Sequence, residues 1–375
     1  ASLAPAHPAA APPRPPRACA RACARACTCV RVRASALGRC GFGMPPSARK
    51  AFVDTLRRVA SDNGLEFLAL SKDWIIQISD SQTGRLCSIF GYTFDVNPAA
   101  AVEICREKAA TSLVLDRHKV ANINHSVFLN PAHEMTAEYL PRSGCWAEIQ
   151  KLVGELGFPV VLKPLKGTGG LDVIKATCWR EVEAAVQHIF SHEYGLAVSP
   201  YKRIVDEYRC FCLDGKVELI YRKIRSTVVG DGSRSVSALL AGLLADPAAD
   251  GKALSALAKA AAALSPEELT RVPAVGESVP VQWKHNLGQG ATASFDVRPE
   301  LREQLVALAP RAASAIGMRF CSVDVVEVEQ EGLLVMEVNS GVMMDSLIAQ
   351  LGDEGAALAT RLYGAAVLKA LGRTT

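Results

Sequence analysis

The sequence predicts an α+β protein, on three observations. Helical and strand periodicities succeed one another without the regular βαβ units that build a doubly wound sheet. Apolar, β-branched runs separated by Asp214-Gly215 and by Gln330-Glu331-Gly332 read as antiparallel hairpins. The 375 residues, 49% hydrophobic and 21% charged, suffice for about two or three packed units with a large core.

Residues 1–43 stand apart. They are Ala, Pro, Arg and Cys, with Arg-Ala-Cys at 17–19, 21–23 and 25–27, and hold seven arginines and no acid. Such a composition builds no core and reads as a disordered leader or a transit-like segment. The expected location is cytoplasmic, with a plastid or mitochondrion as the alternative if the leader is a transit peptide. Without those arginines a net charge of +4 becomes −3 for the remainder, which gives no support for a nucleic-acid partner. No apolar run approaches the ~20 residues of a membrane helix. Five of the twelve cysteines lie in the leader. The other seven lack paired metal-site spacing, and Cys210 and Cys212, alternating on a strand, read as small hydrophobes.

From Met44 the elements follow in order. Residues 47–62 form an amphipathic helix, and strands are expected at Glu66–Leu70, Trp74–Ser79 and Leu86–Phe90. Asn97-Pro98 opens a helix to about Leu115, with Pro98 in its first turn and Asn97 as cap. A helix at 147–157 ends at Gly157, and a short apolar strand, 158–164, carries Lys163. A helix at 179–190 and strands Arg203–Leu213 and Lys216–Arg222 come next. Residues 237–265 are Ala/Leu-rich and helical, 286–296 are punctuated by glycine, and a helix at 299–316 precedes the second hairpin. The last helix, 354–371, packs the core or forms a homodimer face. The histidines 118, 125, 133, 188, 192 and 285 show no ligand spacing and read as surface or core residues; His7 lies in the leader.

Chemistry concentrates in two places. On the second hairpin, pairing about the turn brings Asp324 opposite or next to Glu337, and Asn339 projects on the same side as Glu337. Leu333 and Val335 are expected on that face too, which begins apolar and turns polar; Asp324 shares its face with Val326 and Val328. Two facing carboxylates repel unless a hard cation sits between them, and Mg2+ takes carboxylate and amide oxygens. The other place is Gly167-Thr168-Gly169-Gly170 after Lys163. Glycines let backbone N–H groups approach phosphate oxygens, and a lysine adds charge. The Walker spacing is absent, and no helix follows directly as in a dinucleotide fingerprint. Lys108, Lys223 and Arg225 are further cations.

In this order the motifs resemble the ATP-grasp superfamily, and most closely the ATP-grasp part of cyanophycin synthetase-like ligases, from about Gly91 to Ser346. Residues 107–115, EKAATSLVL, resemble the family's DKxxTxxLL helix. The strand at Lys163, the loop 167–170, Asp206-Glu207-Tyr208-Arg209, the VVGDG element at 228–232, the run Asn286-Leu287-Gly288-Gln289-Gly290 and the metal hairpin are similar to successive family motifs. The resemblance implies an ATP-grasp fold, two α+β subdomains gripping ATP, preceded by a small α/β N-terminal domain. The implied units are 45–106, then 107–195 as the first subdomain and 196–375 as the second, with the metal site. It implies ATP with one or two Mg2+ ions, Mn2+ being an alternative. Lys108, Lys163, Gly167, Thr168, Gly169, Gly170, Val198, Tyr201 and Glu207 would bind the nucleotide. Asp324, Glu337 and Asn339 would hold the metal, and Arg209, Lys223 and Asn286 would be catalytic. The implied reaction joins a small-molecule carboxylate to an amine, amino acids or peptides, through an acyl phosphate. Rivals are a glutathione synthase- or D-alanine–D-alanine-ligase-like enzyme, a kinase, and a non-catalytic ATP-binding module. Two positions depart from the family pattern: Asp172 stands where the loop usually has glycine, and Ser199 where the hinge usually has an acid.

Overall fold

The computed structural model describes residues 49–139, 145–167, 170–245, 264–281, 285, 287 and 291–373. The leader, most of the expected helix 237–265, Thr168, Gly169 and Asn286 lie outside the described residues. Helix α1 (Lys50–Asp62) is followed by an antiparallel meander, β1 (Glu66–Leu70), β2 (Ile75–Asp80), β3 (Arg85–Phe90) and β4 (Thr93–Phe94). Period-two alternation aims Ile76 and Ile78 inward, where they meet Phe52, Leu56 and Val59 of α1. The same core takes in Leu362, Tyr363, Ala366 and Val367 from the last helix, which binds the two ends of the described chain into one apolar cluster. Those residues of the last helix are therefore core residues.

The expected helix 97–115 is two helices, α2 (Ala99–Arg106) and α3 (Lys108–Arg117). Glu107 between them is extended, φ −117° and ψ 116°, and its carboxylate accepts from the N–H groups of Ala109 and Ala110 as an N-cap. Asn97 does not cap α2. Its side-chain amide donates to the Phe320 carbonyl at 2.7 Å, and its oxygen accepts from the N–H groups of Arg319 and Phe320 at 2.9 and 2.8 Å. It ties the start of α2 to a strand more than two hundred residues away.

A second antiparallel sheet, ordered β5-β8-β6-β7, holds β5 (Ser126–Leu129), β6 (Val160–Pro164), β7 (Ile174–Ala176) and β8 (Gly195–Pro200). Helices α4 (Trp146–Leu156) and α5 (Trp179–Phe190) cover it, with Ile149, Val153, Val182 and Ile189 against Val160, Leu162, Leu196 and Val198. Gly157, at φ 71°, ends α4 in a conformation that favours glycine.

The central sheet is ordered β13-β10-β9-β14-β15. Its strands are β9 (Ile204–Leu213), β10 (Lys216–Ile224), β13 (Thr292–Ser294), β14 (Phe320–Val328) and β15 (Gly332–Asn339). Asp214 and Gly215 both have positive φ, 46° and 77°, which suits a two-residue hairpin turn. One face is apolar: Cys210, Cys212, Cys321, Val323 and Val325 pack under α8 (Pro299–Ile316) with α2 and α3. The cysteines there are free and buried, as small hydrophobes. Strands β11 (Thr227–Val229) and β12 (Ser278–Pro280) pair beside α6 (Val236–Leu244) and α7 (Pro266–Thr270). Helices α9 (Asp345–Leu351) and α10 (Asp353–Ala370) close the chain. Among the described residues no helix is long and apolar enough to cross a membrane.

Candidate nucleotide and metal site

The second face of the central sheet is charged. Register aligns Tyr221, Arg209, Asp324 and Glu337 in one row, and Lys223, Glu207 and Val326 in the next. Asp324 pairs with Glu337 and Ser322 with Asn339, so the three expected metal ligands converge at one end of the hairpin. One expectation fails. Val325 pairs with Val335, leaving Met336 as an extra residue in a β-bulge. The bulge flips the parity of the strand. Val335 points into the apolar core under α8 with Leu333 beside it, while Leu334 and Met336 pack with Val326 and Val328 on the charged side.

Four of these charges form a closed, neutral set. Arg209 grips Asp324 with two parallel hydrogen bonds, Nε to Oδ1 at 2.8 Å and Nη2 to Oδ2 at 2.7 Å. Lys223 lies 3.0 Å from Asp324 Oδ1 and also donates to Glu207. Asn339 Nδ2 reaches Asp324 Oδ2 at 3.4 Å. Burial by itself would raise the Asp324 carboxyl, but Arg209 and Lys223 hold it well below the usual range. Burial pushes Glu207 up, with Asp324 adding to the shift and Lys223 opposing it. His285 Nδ1 stands 3.7 Å from Glu207, and burial among Arg225 and Lys223 lowers its pKa to about 3. A carboxylate offers about four acceptor sites. Those of Asp324 are taken by Arg209, Lys223 and Asn339. Glu337 differs: among the described residues no hydrogen bond or ion pair engages its carboxylate.

Glu337 faces a cleft lined also by Lys108, Thr111, Ser112, His125 and Met336. Lys163, on β6 of the second sheet, acts on the same charges. Burial depresses its ammonium to about 8; Glu337 raises it and Lys108 lowers it further. Lys108 is fixed at both ends, its N–H donating to the Leu165 carbonyl at 3.2 Å and its Nζ to the Gly167 carbonyl at 3.1 Å. The break at Glu107 makes this possible, because it starts α3 afresh beside the strand that carries Lys163. Two cations and one open carboxylate thus meet where the Gly-rich turn begins. That donor set fits a phosphate chain with a hard cation: lysine ammoniums for the anion, a carboxylate and an amide oxygen for Mg2+.

The remaining expected residues are placed as follows. Val198 is buried in the ladder between β5 and β6, away from the charged face. The Tyr201 N–H donates to the Pro159 carbonyl, and Lys175 lies over its ring at 4.3 Å. Gly170 has φ 70°. Glu207 sits in the buried ion network. Sequence reasoning missed two histidine sites. His125 is buried beside Lys163 and Lys108, and its Nε2 has no partner among the described residues. No motif marks it. His188 and His192 are not unrelated surface residues, since both meet Asp172. Their separation of four residues, with His188 in the last turn of α5 and His192 two residues past its end, was the available signal.

No family model matches the chain. It is similar to the cyanophycin synthetase of a Nostoc species, at 26% identity over 306 residues, covering 77% of this chain and 32% of that protein. The probable alpha-L-glutamate ligase 2 of Pseudoalteromonas atlantica is 24% identical over 270 residues, covering 71% of this chain and 65% of the relative. The chain spans about a third of the length of the cyanophycin synthetase it matches. Among solved structures, a D-alanine–D-alanine ligase from Bacillus anthracis overlaps at a TM-score of 0.47 and 15% identity, covering 74% of this chain and 70% of that chain.

Proposed function

We propose that this chain, an ATP-grasp superfamily member, is an ATP-dependent ligase that joins the carboxylate of one amino acid or peptide to the amine of another. The single observation that carries the reading is the cleft lined by the unengaged Glu337 and Lys108 beside the Gly-rich turn, with Lys163 near enough to feel both charges. The ligase names of the sequence relatives support it. The units 45–106, 107–195 and 196–375 are retained in the proposal, with the nucleotide between the second and the third.

In this reading Lys108 and Lys163 bind phosphate oxygens. Glu337 and the Asn339 amide oxygen are the groups placed to hold Mg2+, which when bound supplies charge neutralisation at the phosphates. Arg209 and Lys223 hold Asp324 and fix the end of the hairpin on which Glu337 rides. A substrate carboxylate oxygen attacks the γ-phosphorus and ADP leaves, giving an acyl phosphate. The amine nitrogen then attacks the carbonyl carbon, phosphate leaves with the bonding pair, and the nitrogen loses a proton. Most of the acceleration comes from positioning and fixed charge.

Phosphate release from Mg2+-ATP, measured across amino acids and dipeptides added singly and in pairs, tests the proposal. Release that requires a pair supports a ligase. Phosphoryl transfer without any amine would make the protein a kinase. One observation favours a second reading, a nucleotide-binding module without turnover: Asp324 has no acceptor site left for a metal. Nucleotide binding with no release in any mixture would support that module.

The depressed Lys163 gives a pH signature. The free protein loses this charge as pH rises through about 8, and bound phosphate favours the charged form. Affinity for ATP should therefore fall above about pH 8, by at most about tenfold per pH unit, with one proton taken up on binding. Calorimetry in two buffers of different ionisation enthalpy measures the uptake. Lys163→Met should bind more weakly and take up none. Constant affinity between about pH 7 and pH 9.5 would remove Lys163 from the phosphate site.

A further inference from the structure

Asp172 follows the Gly-rich turn, and its side chain reaches α5 and the residue two beyond its end. Its backbone is left-handed, φ 51°. His188 Nε2 lies 3.0 Å from Asp172 Oδ1, and His192 Nε2 lies 3.2 Å from Oδ2. The two imidazoles meet edge to face, with centroids 5.1 Å apart. One ligand atom from each of the three residues falls within 4.8 Å of the other two.

The Ser191 contacts favour one tautomer of His192. The Ser191 hydroxyl donates to the His188 carbonyl at 2.6 Å, so its oxygen is left to accept from His192 Nδ1 at 3.2 Å. The proton of neutral His192 is then on Nδ1, and Nε2 presents a bare lone pair to a carboxylate oxygen. Lone pair against anion is repulsive, and a cation between them reverses the sign. A hydrogen bond that fixes one ring nitrogen as donor and turns the other inward is the usual support of a metal-bound imidazole.

We propose that Asp172, His188 and His192 bind a divalent transition-metal ion of the zinc class. Two imidazole nitrogens and one carboxylate oxygen suit Zn2+, whereas Mg2+ selects oxygen donors. Metal–ligand bonds of ~2.0–2.2 Å at tetrahedral angles put donor atoms about 3.4 Å apart. The two observed contacts are a few tenths shorter, within reach of small side-chain rotations. All three side chains are open to solvent, which leaves the fourth position to water. The site is separate from the Glu337 cleft and does not rest on the ligase reading. An ion there joins the end of the Gly-rich turn to α5.

Equilibrium dialysis of the whole chain against Zn2+, with a phosphine reductant and excess Mg2+, tests the site. The cysteines also attract zinc, so the readout is the difference between wild type and variants. Asp172→Asn and His188→Ala are each expected to lose one bound equivalent, or to bind it at least about tenfold more weakly. Co2+ in that equivalent should give visible bands without thiolate charge transfer, absent from both variants. The residues are exposed, so metal-free melting temperatures should match and confirm that the variants fold. Equal stoichiometry and affinity in wild type and both variants overturns the proposal, as does complete displacement of the ion by Mg2+.

Discussion

Glu337→Gln is expected to reduce Mg2+-ATP-dependent phosphate release by about 10²–10³-fold or more, the scale of losing a preorganised charge at a reacting phosphate. The fold should hardly notice. Among the described residues nothing pairs with the Glu337 carboxylate, and glutamine keeps its shape, so the change in unfolding free energy should stay within about 0.5 kcal/mol. The combination makes the test sharp, because inactivity cannot be put down to unfolding. Phosphate release under saturating Mg2+-ATP and a urea melt measure the two quantities. Full activity in the folded variant would remove Glu337 from the metal site.

Arg209→Met should behave in the opposite way. Arg209 is one-fifth exposed and Asp324 nearly fully buried, and they share two short hydrogen bonds. Methionine leaves Asp324 and Glu207 with Lys223 as the remaining cation of the set. Removing one partner of a buried pair costs about 3–5 kcal/mol, readable from the urea midpoint at constant slope. Acid adds a second signature. The folded pKa of Asp324 is depressed, so its stabilisation is present above its unfolded pKa and is lost as pH falls through the folded one. Without Arg209 that pKa rises, and acid unfolding should begin at a higher pH. Adding Asp324→Asn should restore part of the loss, since the orphaned charge goes with it. A loss below about 1 kcal/mol in the single variant would mean that water screens the pair.

The hairpin carrying Asp324 and Glu337 was legible because each strand alternates and the turn is punctuated. Strand β6 with Lys163, helices α5 and α8 and the turn at Asp214-Gly215 were legible for similar reasons. The bulge at Met336 was not, because an inserted residue leaves no mark at the end of the apolar run Leu333 to Met336. Nor was the break at Glu107. Glutamate is a good helix former, and the bond that accompanies the break, from the Lys108 N–H to the Leu165 carbonyl, is one that only the folded chain makes. Asn97 carried the right chemistry for a cap and found stronger partners at Arg319 and Phe320. His188 in α5 and His192 just past its end are four residues apart, but their carboxylate comes from a loop that no periodicity describes.

The extra residue at Met336 has a consequence for how this strand can change. Residues before it answer to the apolar core and residues after it to the cleft, and the two halves are out of phase by one position. Conservative exchanges in the first half can proceed without turning Glu337. Deleting Leu334 would be a change of another kind: it would restore an unbroken alternation with Glu337 still opposite Asp324, but turn Val335 to the charged side and Met336 into the apolar core. The bulge therefore acts as a phase boundary, letting one continuous strand serve two masters whose requirements for parity are incompatible.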